Sequence, residues 1–154
     1  MTDTVGVIGL GNIGSRVAEV LLDEYDVVAF DIDENALAAL AEQGAHAADS
    51  GSDVGRRADV VLLSLPADGA LLSAALDDDG VLDGMSEGDV LVDTSTVSPM
   101  ASGKVADACA AAGVEFLDAP VSGGDQGARA GTLSFMVGGP EAVFERHRTL
   151  FDTL

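Results

Sequence analysis

Residues 5–20 constrain the fold of this chain more than any other stretch. The apolar run 5–8 predicts a short buried strand, and three glycines follow it at G-x-G-x-x-G spacing before a helical pattern: Gly9, Gly11 and Gly14. The first glycine permits a tight turn, the second lets the backbone approach a phosphate, and the third lets the helix pack close to the strand. Because the first N–H groups of a helix lack partners, they would face a bound anion. The stretch therefore predicts a phosphate-binding turn.

The second predicted strand, 26–31, ends on an acid at an informative distance. Asp31 lies 22 positions after Gly9, close to the roughly 20 at which an acid binds the adenosine ribose of a dinucleotide. A carboxylate there would repel a 2′-phosphate, which favours NAD over NADP as the cofactor. The alternative is that a chain so rich in acids carries Asp at this strand end by chance.

Strand and helix patterns alternate along the rest of the chain. Further strands are predicted at 45–47, 59–65, 89–93, 115–118 and, at an edge, 133–137, and helices at 12–22, 34–43, 53–57, 69–76, 99–112 and 141–154. This alternation predicts an α/β fold of the Rossmann type, a doubly wound and mainly parallel sheet with helices on both faces. The length of 154 residues suits one domain, so residues 1–154 are predicted to form a single dinucleotide-binding domain.

Candidate binding residues follow the predicted strands, at the edge where open parallel sheets bind ligands. Leu65 and Pro66 would form an apolar wall beside the glycine turn, although a strand stop explains the proline equally well. After the 89–93 strand, Ser98 is a natural helix N-cap before Pro99, which leaves two other hydroxyls, Ser95 and Thr96, available to a ligand.

A second loop combines a hydroxyl with unhindered backbone N–H groups. Ser122, Gly123 and Gly124 would form a neutral concavity suited to a carboxylate; the alternative is an ordinary turn into a helix. The three acids at 77–79 do not continue as a calcium loop, so a solvated turn is expected there and no metal site is predicted.

The charge balance excludes two classes of partner. The chain has 27 Asp and Glu against 7 Lys and Arg, a formal net charge of −20, which would repel nucleic acid and anionic membranes. Acids dispersed along the whole chain predict adaptation to high salt; the alternative is an ordinary acidic cytosolic protein. The sequence shows no secretory signal or membrane-spanning run, so a cytoplasmic location is expected, and Cys109 is expected to be a buried small residue.

Four motifs together resemble the N-terminal domain of the β-hydroxyacid dehydrogenases, the family of 3-hydroxyisobutyrate dehydrogenase, tartronate semialdehyde reductase and 6-phosphogluconate dehydrogenase. They are GLGNIG at 9–14, with Ile13 in place of the usual methionine, LP at 65–66, DTSTVSP at 93–99 and DAPVSGGDQGARAGTLSFMVGG at 118–139. The resemblance implies a cofactor site made by Gly9, Gly11, Asn12, Ile13, Gly14, Asp31, Leu65 and Pro66, with Thr96 at the nicotinamide. It implies that Ser122, Gly123 and Gly124 bind the carboxylate of a small 3-hydroxy acid.

The same resemblance indicates what is missing. In this family a general acid/base lysine and a helical C-terminal domain, which completes the site and the dimer, follow the Rossmann domain. Lys104 lies within the dinucleotide-binding part and is expected to face solvent, while His46 and His147 are expected to be structural or exposed. The chain is therefore expected to be one domain of a longer homo-oligomeric enzyme, without catalytic residues of its own.

Two other functions stay open. One is a stand-alone, non-catalytic nucleotide-binding module. The other is a related reductase of imines or a dehydrogenase of a phosphorylated sugar acid. The phosphorylated substrate is disfavoured because Arg129 is the only cation near Ser122 in the sequence.

Overall fold

The computed structural model describes residues 4–154 and shows a six-stranded sheet followed by a smaller two-stranded one. The strands are β1 (Thr4–Ile8), β2 (Asp26–Phe30), β3 (His46–Ala47), β4 (Val60–Leu63), β5 (Val90–Asp93), β6 (Glu115–Asp118), β7 (Val121–Ser122) and β8 (Ser134–Phe135). The helices are α1 (Asn12–Leu21), α2 (Glu34–Glu42), α3 (Gly51–Arg57), α4 (Asp68–Leu76), α5 (Val81–Gly84), α6 (Pro99–Ala112), α7 (Gly124–Ala130), α8 (Glu141–Arg146) and α9 (Arg148–Thr153).

The large sheet is parallel throughout, in the order β3-β2-β1-β4-β5-β6. The chain moves outward from β1 to β3, then returns to the other side of β1 and continues to β6. The carboxyl ends of β1 and β4 therefore lie side by side at the point where the winding reverses, which is where doubly wound sheets open a ligand crevice.

Buried apolar residues cover both faces of this sheet. One core cluster joins it to α1, α2, α8 and α9, and the other joins it to α3, α4, α5 and α6. The strands that are fully buried read as continuous apolar runs, as the VVLL of β4 does. The predicted Rossmann-type α/β fold is confirmed.

Capping residues in the sequence predicted most helix ends correctly. The Asp33 side chain accepts hydrogen bonds from Asn35 N and Ala36 N at the start of α2, and Ser98 Oγ accepts one from Ala101 N at the start of α6. Gly113 ends α6 in the left-handed conformation, with φ 72°. Four short elements were not predicted: α5, α7, β7 and the first turn of α3.

The strand predicted at 133–137 is shorter than predicted, and it does not lie at an edge of the large sheet. Only Ser134 and Phe135 are extended, and they pair antiparallel with β7 outside the large sheet. Gly138 exchanges two backbone hydrogen bonds with Asp118, at 2.9 and 2.7 Å, so the segment meets β6 at a single bridge and then leaves it. The segment therefore pairs with β7, which follows β6 closely in the chain, instead of extending along the edge of the large sheet.

The single helix predicted at 141–154 is also wrong, because it breaks at His147. The imidazole Nδ1 lies 2.8 Å from the Val143 carbonyl oxygen, and the His147 N–H turns instead to Phe144 O at 3.0 Å. The side chain thus occupies the carbonyl that a continuous helix would use. Val143 on one side of the break and Leu150 on the other are both buried in the core.

Candidate functional site

The glycine turn joins β1 to α1 as predicted, and the three glycines differ in what surrounds them. A Cβ on Gly9 would overlap the Ser64 carbonyl oxygen, and a Cβ on Gly14 would overlap the Gly9 carbonyl oxygen. A Cβ on Gly11 would meet no atom within 4 Å, and its backbone, at φ −69° and ψ −164°, suits any residue. The fold therefore requires Gly9 and Gly14, whereas the absence of a side chain at Gly11 leaves the opening free for a ligand.

Asp31 follows β2 and is tied to the glycine turn by its own carboxylate. Oδ2 accepts a hydrogen bond from Leu10 N at 2.6 Å, and Oδ1 accepts one from Asp33 N at 2.7 Å. Each oxygen keeps a second lone pair for a ligand hydroxyl. Asp31 thus holds the turn against the end of β2 while it faces the cavity.

The loops after β4 and β5 are bound to each other at two points. Leu65 N donates to Ser95 Oγ at 2.9 Å, and the Asp68 carboxylate accepts hydrogen bonds from Ser98 N at 2.8 Å and Ser98 Oγ at 2.6 Å. These bonds from Ser98 lower the pKa of Asp68. The Leu65–Pro66 wall is therefore held in place by the loop that carries Thr96.

The two hydroxyls that the sequence left available have separate environments. Ser95 is buried and its oxygen is engaged by Leu65 N. Thr96 is exposed, lines the cavity and makes no side-chain hydrogen bond within residues 4–154. Thr96 is thus the hydroxyl available to a ligand, and Ser95 is a structural partner.

These groups surround one cavity of about 1030 Å³ at the carboxyl edge of the sheet. Its volume is at the upper end of the roughly 300–1,000 Å³ of small-molecule pockets. The predicted residues that line it are Gly9, Gly11, Asn12, Ile13, Asp31, Leu65, Pro66, Thr96 and Gly124. Gly14 is buried behind the turn, and Ser122 and Gly123 lie outside the lining.

Every charged residue in the described cavity wall is an aspartate. Its charged members are Asp31, Asp49, Asp77, Asp78 and Asp79. Within the described part of the chain it has no Lys, Arg or His among its lining residues. Ile32, which is 92% exposed, extends an apolar side chain into the solvent at the Asp31 end. The field inside the cavity therefore opposes additional negative charge at that end.

Two glycines of the Ser122–Gly124 loop have backbone conformations that other residues rarely adopt. Gly123 and Gly124 have φ of 126° and 57°, and all three residues are exposed. The Ser122 hydroxyl makes no hydrogen bond with any residue that the structure describes. Gly124 begins α7 and borders the cavity, so its end of the loop faces the same space as Thr96.

Residues outside the site agree with their expected environments. Lys104 and His46 are exposed, while Cys109 is fully buried, which raises the pKa of its thiol to about 12. Over residues 4–154, no cluster of three or more His, Cys, Asp or Glu could hold a metal ion. No helix in that range has the length and apolar character needed to cross a bilayer.

Sequence reasoning missed the residues that act through tertiary contacts. Asp68 anchors Ser98 across two loops, and Asp79 accepts hydrogen bonds from Ser50 Oγ and Ser52 Oγ where α4, α5 and α3 meet. The sequence contained one usable signal for these contacts: Asp68, an acid two positions after Pro66. Nothing in the sequence shows which serines these acids contact.

Comparison with known proteins agrees with this geometry. Residues 4–154 match the family described as the NAD binding domain of 6-phosphogluconate dehydrogenase. The 3-hydroxyisobutyrate dehydrogenase of Pseudomonas aeruginosa is 46% identical, in an alignment that covers 100% of this chain and 52% of that protein. The NAD-dependent L-serine dehydrogenase of the same organism is 41% identical, in an alignment that covers 97% of this chain and 51% of that protein. The solved structure of Mycobacterium tuberculosis 3-hydroxyisobutyrate dehydrogenase with L-serine superposes with a TM-score of 0.92 at 33% identity, covering 99% of this chain and 52% of the other.

The chain thus spans about half the length of the curated relatives it matches. The family match, by contrast, extends over the whole described range and includes the glycine turn, Asp31 and Thr96. The chain belongs to the family of the NAD-binding domain of 6-phosphogluconate dehydrogenase.

Proposed function

We propose that this chain is the cofactor-binding half of an oxidoreductase that transfers hydride between NAD and a small 3-hydroxy acid. The observation that carries the proposal is the cavity at the switch point of the sheet, which extends from Asp31 past the open Gly11 to the free hydroxyl of Thr96. The ends of β2 and β5 are three strand spacings apart, roughly 14 Å at about 4.8 Å each. That span suits two ring systems joined by a diphosphate.

Each part of the cavity would hold one part of the cofactor. Asp31 would accept hydrogen bonds from the ribose of the adenosine, with Ile32 beside the adenine. The N–H groups at the start of α1 would bind the diphosphate over Gly11, as helix N-termini bind anions. Leu65 and Pro66 would form the apolar wall, and Thr96 would orient the nicotinamide. When bound, NAD supplies the hydride acceptor or donor, and this chain supplies its orientation.

The acidic lining favours NAD over NADP. A 2′-phosphate would approach the Asp31 carboxylate, and no cation of the lining is available to pair with it. Asp49 adds a further negative charge to the same wall. Each of these charges repels a phosphate, whereas a carboxylate can accept a hydrogen bond from a ribose hydroxyl.

The substrate class follows from the loop at 122–124 and from the relatives. The Ser122 hydroxyl and the N–H groups of Gly123 and Gly124 would bind a carboxylate without a cation. 3-Hydroxyisobutyrate and L-serine, which name two of the relatives, are both carboxylic acids with a hydroxyl on carbon 3. None of the described residues that line the cavity is a cation, which argues against a phosphorylated substrate.

The remaining steps need groups beyond this domain. None of the described residues at the cavity is a Lys or His that could move the hydroxyl proton. We therefore propose that residues 1–154 form one domain and that a further helical domain supplies the acid/base lysine and the homo-oligomer contacts. A cytoplasmic, salt-adapted protein is part of the same proposal.

Calorimetry tests the cofactor assignment. Titration of the chain with NAD should show binding at one site, and NADP should bind at least tenfold more weakly. No binding of either cofactor, or tighter binding of NADP, would contradict the proposal. Thermal unfolding in dilute and in molar potassium chloride tests the salt adaptation: the melting temperature should rise with salt, and an unchanged value would contradict it.

A further inference from the structure

Two acids lie side by side where β5 and β6 end. Asp93 and Asp118 are register partners in the parallel pair, so their side chains project from the same face of the sheet at a strand spacing of about 4.8 Å. Asp93 is fully buried and Asp118 is partly exposed. The row that contains them is otherwise apolar, since Leu63 is the partner of Asp93 on β4.

The Asp93 carboxyl is only half satisfied. Oδ1 accepts a hydrogen bond from Ser95 N at 3.0 Å, whereas the buried Oδ2 has no partner. No described Arg or Lys forms a salt bridge with either acid. Burial and the charge of Asp118 raise the pKa of Asp93, against the hydrogen bonds from Ser95, and burial raises the pKa of Asp118.

Among the described residues, the buried side chains packed around the pair carry no other ionised group. The buried side chains that cover this face from β4, β5, α4 and α6 are apolar except for one thiol: Leu63, Leu91, Leu71, Ala75, Ala101, Val105 and Cys109. The pKa of Cys109, raised to about 12 by burial, keeps that thiol protonated. Among these buried side chains, the only charge near the Asp93 carboxyl is therefore that of Asp118, and the reverse also holds.

We propose that Asp93 and Asp118 share one proton, and that this carboxyl pair holds the cofactor-facing loop and the substrate-facing loop together at their roots. A hydrogen on Asp93 Oδ2, donated to the Asp118 carboxylate, gives the orphan oxygen a partner and removes one of two adjacent buried charges. The pair lies where the loops diverge: Thr94 to Ser98 follows Asp93, and Ala119 to Gly124 follows Asp118.

The backbone links the same two roots. Ala119 N donates to Asp93 O at 2.7 Å, and Ser95 N donates to Asp93 Oδ1. Ser95 Oγ in turn accepts a hydrogen bond from Leu65 N. Asp93 is thus a positioning residue that reaches the cofactor wall through Ser95. The roles of the two loops rest on the proposed function, whereas the shared proton does not.

Carbon-detected NMR of the aspartate carboxyls tests the shared proton. At pH 6, about two units above the ordinary aspartate pKa of about 3.9, one carboxyl of the pair should show the shift of a protonated group. Asp118→Asn should lower the titration midpoint of Asp93 by at least one pH unit, because the neighbouring charge is gone. Full ionisation of both groups at pH 6, or an unchanged midpoint in the variant, would overturn the proposal.

Amide hydrogen exchange tests the link between the loops. The Ser95 and Ala119 amides, corrected for the intrinsic effect of pH, should exchange at least tenfold faster once the pH passes the upper titration step of the pair. The Asp118→Asn variant should fold, because residue 118 is partly exposed. In this variant, the corrected exchange rates of the same two amides should change less than twofold over that pH range. Equal acceleration in both proteins, or none in either, would overturn this role. Neither measurement uses NAD, so failure of NAD binding would count against the proposed function alone.

Discussion

The two glycine-containing loops of the site are built in different ways. In the turn at 9–14, Gly9 and Gly14 lie against backbone atoms that leave no room for a Cβ, and Asp31 holds the turn from outside. In the loop at 122–124, every residue is exposed, and a Cβ on Gly124 would meet no atom within 4 Å. The cofactor end is therefore preorganised by packing, whereas the proposed substrate end depends on backbone conformation.

This difference suits the roles proposed for the two loops. A rigid turn loses little conformational entropy when a large cofactor binds. An open loop can be completed by groups that this domain does not contain. Four substitutions test this contrast, with expected effects that decrease from Gly14→Ala to Ser122→Ala.

Gly14→Ala should have the largest effect, because the new methyl group overlaps the Gly9 carbonyl oxygen. Overpacking against backbone should cost about 3 kcal/mol of the free energy of unfolding, seen as a melting temperature lower by about 10 °C. NAD binding should be lost with it. A melting temperature within 2 °C of the wild type would show that the turn is not held by packing.

Gly11→Ala is the matched control in the same turn. Because a Cβ there meets nothing within 4 Å, the free energy of unfolding should change by less than about 0.5 kcal/mol. NAD affinity measured by calorimetry should fall at least tenfold, about 1.4 kcal/mol, since the methyl group occupies the space of the diphosphate. Unchanged affinity would contradict the position assigned to the cofactor.

Asp31→Asn tests electrostatics at the other end of the cavity. The amide oxygen can still accept from Leu10 N or Asp33 N, so the fold should persist, but the charge that repels a 2′-phosphate is removed. The ratio of NAD to NADP affinity should fall about tenfold. If calorimetry on wild type and variant gives the same ratio, Asp31 does not set cofactor preference.

Ser122→Ala should have the smallest effect. The hydroxyl is exposed and makes no hydrogen bond with the described residues, so stability should stay within about 0.5 kcal/mol and NAD affinity within twofold. Urea unfolding and calorimetry measure both. A fivefold loss of NAD affinity would mean that this loop belongs to the cofactor site, and the contrast between the two loops would not hold.

Sequence patterns predicted most of the fold because they report local physics. The apolar runs of β1, β4 and β5 are buried strands, and the Ser98 and Asp33 caps begin helices through bonds to residues two or three positions away. The predictions failed where a particular hydrogen bond, which the apolar pattern does not report, replaced the expected pairing. His147 breaks the last helix by taking the Val143 carbonyl, and the 133–137 segment pairs with β7.

By itself, the sequence determined the glycine turn, the acid after β2 and the alternation that makes a doubly wound sheet, since each of these is a spacing between residues close in the chain. Only the tertiary structure decided which side chains meet where the ends of β4, β5 and β6 adjoin. That adjacency buries Ser95 and exposes Thr96, brings Asp68 to Ser98, and sets Asp93 beside Asp118. These relations join residues up to about 30 positions apart, and their energies depend on burial and distance, which no local pattern encodes.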